Sequence, residues 1–68
     1  MTDAEKAALV PVGDQIACVR REIGMRERVY PRWVDAGKMK QVAADREMTA
    51  MRAVLMTLED IEMRGRLI

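Results

Sequence analysis

The stretch RERVYPRWVDAGKMKQ, residues 26 to 41, places two chain-breaking signals, Tyr30-Pro31 and Ala36-Gly37, between two long runs of helix-forming sequence. Proline has no amide proton, and its ring clashes with the preceding turn when a helix runs through it. It is well suited to the first position of a new turn. Pro31 to Ala36 therefore reads as one short helical step, and Gly37, free to adopt left-handed geometry, closes it. An elbow over residues 31 to 38 then reverses the chain, and its flanks become an antiparallel helical hairpin. The single tryptophan and single tyrosine lie in this stretch. Trp33 and Val34 are expected to turn inward beside Tyr30, Met39 and Val42 and plug the end of the hairpin.

Upstream, the sequence predicts a helix over about residues 14 to 30, with Asp14 as its N-cap. At 100° per residue, Val12, Ile16, Val19, Ile23 and Tyr30 fall on one stripe, the spacing of a helix packed along its length. A thinner stripe carries Cys18, Met25 and Val29. Glu22 and Arg26 are spaced for an i,i+4 ion pair. Gly24, mid-helix, is either a tolerated defect or a point of close approach, at about 1 kcal/mol against alanine. Residues 1 to 13 form an arm: Thr2-Asp3-Ala4-Glu5 is a capping-box pattern that starts a short helix. Pro11 and Gly13 end that helix near Val10.

Downstream, residues 39 to 64 contain no Gly or Pro and are rich in Ala, Met, Leu, Glu and Arg, which favours one long helix. Its main apolar face gathers Ala43, Ala44, Met48, Met51, Val54, Leu55, Leu58 and Ile61, partly in the alternating four-three spacing of coiled coils. That face is wider than one antiparallel partner covers. Gly65 is expected just past the helix end, at C′. Glu47 intrudes on the apolar face and needs an arginine, Arg20 or Arg26 across the seam or one from another chain.

The fold class that emerges is all-α: an N-terminal arm and a helical hairpin in one domain over residues 1–68. At 68 residues a single core barely outweighs the entropy lost on folding. One cysteine and no histidine leave neither an internal disulfide nor a Cys/His zinc site as a staple. Self-association is the remaining common one. The expectation is a homodimer with a four-helix arrangement, built through Cys18, Met25, Val29, Met48, Met51, Leu55 and Leu58. Cys18 is read as a half-buried apolar filler.

Histidine is absent, as are a phosphate-binding glycine loop and any paired-acid or HExxH motif, so no catalytic residue, cofactor or metal is expected. No apolar run approaches the roughly 18 residues of a membrane span, and a cytoplasmic, non-membrane protein is the expectation. The formal net charge is +1, too small for a global attraction to nucleic acid. A local patch remains: Arg26, Arg28, Arg32, Lys38 and Lys40 gather at the elbow, with Trp33 among them. These six residues are the candidate partner-binding set. Asp3, Glu5, Glu59, Asp60 and Glu62 give the other end an acidic character, so a bipolar molecule is expected.

The segment from Glu22 to Asp60, and above all its RxRVYPRxVxxGKM pattern from Arg26 to Met39, resembles small proteins encoded in bacteriophage and prophage genomes of proteobacteria. Where those proteins place Ser or Thr after the Gly-Lys-Met turn, this chain has Lys40 and Gln41. The resemblance brings no catalytic residue. It implies a small protein that docks on another protein, as an accessory or inhibitor of a host or phage machine. The alternative class is a nucleic-acid-associated factor of phage replication or recombination that uses the basic elbow.

Overall fold

The computed structural model describes residues 1–66 and contains three helices: α1 (Asp3–Ala8), α2 (Val12–Asp35) and α3 (Gln41–Arg66). No strand occurs among the described residues. α2 and α3 pack against each other as a hairpin, and α1 packs on neither. Sequence dictates the local reasons. The Thr2 hydroxyl accepts from the Glu5 amide at 3.2 Å while the Glu5 carboxylate accepts from the Thr2 amide at 3.2 Å, the reciprocal capping box that starts α1.

α2 begins earlier than expected. Pro11, extended at φ −60° and ψ 149°, is the N-cap residue, and its carbonyl accepts from the Asp14 and Gln15 amides, each at 3.1 Å. Asp14 thus lies within the first turn, where its carboxylate favours the exposed amide end of the helix without capping it. The Gln15 side-chain amide donates to the Val10 carbonyl at 3.0 Å and ties the approach segment to the helix.

The larger difference lies at Pro31. α2 runs through it to Asp35 with no break. The missing amide leaves the Glu27 carbonyl without its helical donor, but Glu27 and Pro31 both lie on the exposed side, so water can serve that carbonyl. Pro31 is therefore a tolerated interior proline. The elbow shortens from residues 31–38 to the turn after Asp35. Gly37, at φ +74°, closes α2 as anticipated: its amide donates to the Val34 carbonyl at 3.0 Å, and the Lys38 amide donates to the Trp33 carbonyl at 2.8 Å. This is a Schellman motif, with glycine at its left-handed position. Gly37→Ala is expected to cost about 1 kcal/mol, because nothing crowds the added methyl and only the backbone is strained. Thermal unfolding measures it.

α3 starts where the Lys40 carbonyl accepts from the Ala43 and Ala44 amides, at 3.1 and 3.0 Å. It continues past Gly65, which is helical and not the expected C′ terminator. The i,i+4 ion pairs Asp60–Arg64 at 3.0 Å and Glu62–Arg66 at 3.2 Å brace this last stretch.

Three side chains are buried among the described residues: Ile16 (4% exposed), Ile23 (9%) and Ala44 (4%). Val12, Val19, Tyr30 and Val34 from α2, and Met48, Met51, Leu55 and Leu58 from α3, are half-buried around them. The stripe read along α2 is therefore the seam. Helical phase explains the departures. Cys18, expected to be half-buried, is exposed; it lies two residues, or 200°, from Ile16. Val42 stands in the same relation to Ala44 and is exposed as well. Val54 and Ile61 sit at the edge of the α3 face and are exposed. Trp33 does not plug the hairpin: it is 44% exposed, because a helix unbroken at Pro31 keeps Trp33 in α2 phase, turned away from the seam while Val34 faces it.

Candidate functional site

Charge placement follows from the same phases. Among the described residues three ion pairs cross the seam: Arg20–Glu59 at 2.9 Å, Glu27–Arg52 at 3.2 Å and Arg26–Glu47 at 3.7 Å. Glu47 is thus met by Arg26, one of the two partners anticipated. It is no intruder in the core, since its side chain is 55% exposed. The half-buried Arg26 also donates to Glu22 at 2.8 Å and lies 5.8 Å from the centre of the Tyr30 ring. The hydrogen bond to Glu22 is the main reason its guanidinium is held above the usual arginine range; burial opposes this, and Tyr30 and Glu47 add to it. Arg26 stays a cation with two carboxylate partners, and it braces the hairpin.

The other elbow cations are differently placed. Arg28 and Arg32 lie on the outer side of α2 and Lys38 and Lys40 in the turn; all four are exposed, and none forms an ion pair among the described residues. Asp35 is the single acid between residues 28 and 40. The elbow is accordingly a small cationic rim. Trp33 sits beside it with its ring 5.8 Å from that of Tyr30, tilted by 34°.

The far end differs from the sequence expectation. Glu59, Asp60 and Glu62 are each engaged by an arginine, Arg20, Arg64 and Arg66 respectively. The acids of α3 are thus matched by arginines, whereas Asp3 and Glu5 of the arm form no ion pair among the described residues.

The expected self-association set divides in two. Met48, Met51, Leu55 and Leu58 share the phase of buried Ala44 and are half-buried, consumed by the seam within one chain. Cys18 and Met25 are exposed and Val29 half-buried on the outer face of α2. Val54 belongs with them: a groove of about 440 Å³ is lined by Cys18, Val19, Val54 and Leu58, with Ala7 and Val10 of the arm. The sequence signal for it was the Val54–Ile61 repeat of seven, one notch around from the seam residues. A second groove of about 450 Å³, between Tyr30, Pro31, Ala44 and Met48, is bordered by charged residues including Glu27 and Arg52.

No charged side chain is buried among the described residues, and no cluster of three Cys, Asp or Glu side chains could hold a metal ion there. No helix among the described residues is long and apolar enough to cross a membrane. The elbow displays solvated cations and one open aromatic ring. The chain matches no model of a known protein family, no curated protein and no solved structure.

Proposed function

We propose that this chain is a non-enzymatic protein-binding module of the kind encoded by phages and prophages, working in the bacterial cytoplasm as an accessory or inhibitor of a host or phage protein. The module self-associates into a four-helix dimer and meets an acidic protein surface through its elbow. The observation that carries the reading is the contrast in charge: Arg28, Arg32, Lys38 and Lys40 are free of ion pairs, whereas the carboxylates Glu59, Asp60 and Glu62 at the other end are paired. Unpaired cations in a cluster lower the potential felt by an acidic partner and speed encounter. Self-association rests on the shortage of core, three buried side chains in the described hairpin.

A triple variant, Arg32→Gln/Lys38→Gln/Lys40→Gln, tests the elbow. Partner protein captured from the host by the unchanged chain is expected to fall at least tenfold with the variant, while far-ultraviolet circular dichroism stays the same. Equal capture by both chains would end the reading. Nucleic acid is the competing ligand, and salt discriminates: binding to duplex DNA that weakens linearly in log–log against salt would assign the elbow to phosphates instead.

A further inference from the structure

We propose that the N-terminal arm is a lid: α1 swings about the joint between Ala8 and Pro11 and closes on the far half of the hairpin, filling the groove between α2 and α3. The proposal goes beyond the function put forward above and does not depend on it.

The arm is already aimed at the groove. Ala7 and Val10 form one wall of the 440 Å³ gap, and Cys18, Val19, Val54 and Leu58 form the others. The Gln15 side chain holds the Val10 carbonyl at 3.0 Å, which keeps the arm on this side of the hairpin. Yet α1 packs on neither long helix. The gap is therefore the space the arm leaves by standing off.

Standing off is costly for such a short element. α1 has six residues, and an isolated helix shorter than about 12 residues is marginal in water. The capping box fixes its first turn without lengthening it. Leu9 and Val10, which follow directly, are 68 and 42% exposed. Contact with an apolar surface would support the helix and cover these side chains together. Only Leu9, Val10 and Pro11 join α1 to α2, so the surface within reach is the groove that the arm overhangs.

The fit is right in kind and in length. Ala4, Ala7 and Ala8, at i, i+3 and i+4, make one face of α1, while Glu5 and Lys6 point elsewhere. Alanine lets that face come down close to Cys18 and Val54. At 1.5 Å per residue α1 is about 9 Å long, and the span from Val54 to Ile61 on the matching side of α3 is about 10 Å. Towards the elbow the same side of the hairpin turns polar, where Arg26 joins Glu22 and Glu47. The apolar part is thus no longer than the arm. Closed, the arm covers Cys18, Val54 and Leu58; open, it offers them to solvent.

The single thiol reports the lid in the full-length chain. Cys18 is labelled with a neutral maleimide, and the reference is the thiol of Cys18→Ala/Met56→Cys, since Met56 is 70% exposed and lies off the groove. Each rate is divided by that of the same chain in denaturant. Cys18 is expected to react about fivefold or more slowly than the reference, because only the open state is accessible. Ala7→Gln, too long and polar to seat in the gap, should bring the two rates within about twofold, whereas Lys6→Gln on another face of α1 should leave Cys18 slow. Equal rates for Cys18 and the reference thiol in the unchanged chain would overturn the proposal. So would protection that Ala7→Gln does not relieve. Protection that grows with protein concentration would assign the cover to a second copy and overturn the lid as well.

Discussion

Ile16→Ala is expected to cost about 2–5 kcal/mol of folding stability, the range for removing most of a buried aliphatic side chain and leaving a cavity. The effect is large relative to the whole, since a chain of this length holds roughly 3–10 kcal/mol in total at the usual stability per residue. Ile16 is one of three buried side chains among the described residues, and its neighbours are only half-buried, so few contacts remain to hold the hairpin. At about 4–8 °C per kcal/mol for a domain of this size, the melting temperature should fall by tens of degrees or the transition should disappear. Val42→Ala is the matched control. Val42 is exposed, and its loss should change stability by no more than about 0.5 kcal/mol. Equal losses from the two variants would show that the seam is not where stability resides.

Pro31→Ala is expected to act in the opposite direction and raise stability by about 1–3 kcal/mol. Alanine restores the amide that the Glu27 carbonyl lacks and removes a residue that costs about 3 kcal/mol in a helix interior. The full amount is not expected, because Pro31 lies one turn from the end of α2, where helices fray. The sign discriminates between two architectures. Were Pro31 the first residue of a new turn, its fixed φ would be preorganised for that place, and alanine would lower stability by up to about 1 kcal/mol through the entropy of the unfolded chain. Chemical denaturation with an unchanged m-value, and a midpoint moved up or down, gives the answer.

Much of the architecture was legible because it depends on interactions between near neighbours. The Thr2–Glu5 capping box, the left-handed Gly37 and the Glu22–Arg26 pair each involve residues within four positions of one another, so spacing and residue type were enough. The α2 stripe of Ile16, Val19 and Ile23 was legible for a related reason: a period of 3.6 residues is a property of the helix alone. The candidate site was read less well. Its cations were grouped at the elbow, but although spacing paired Arg26 with Glu22, sequence could not tell whether Arg20 or Arg26 meets Glu47. That distinction depends on which side chains of α3 come within reach.

What the sequence by itself determined is a helical hairpin with a glycine-closed reversal, a seam carried by Ile16 and Ile23 on one side, and a cationic elbow. Only the tertiary structure decided that α2 continues through Pro31, and so that Trp33 is open to solvent and not a plug. It also decided that Met48, Met51, Leu55 and Leu58 are used within one chain while Cys18, Met25, Val54 and Ile61 are left outside. The physical reason is the same in both cases. Local propensity sets whether a residue is helical, but the rotation at which two helices meet sets which arc of each is covered. That rotation is chosen by the packing of the whole seam, where burying Ile16, Ile23 and Ala44 together outweighs one missing hydrogen bond at an exposed proline.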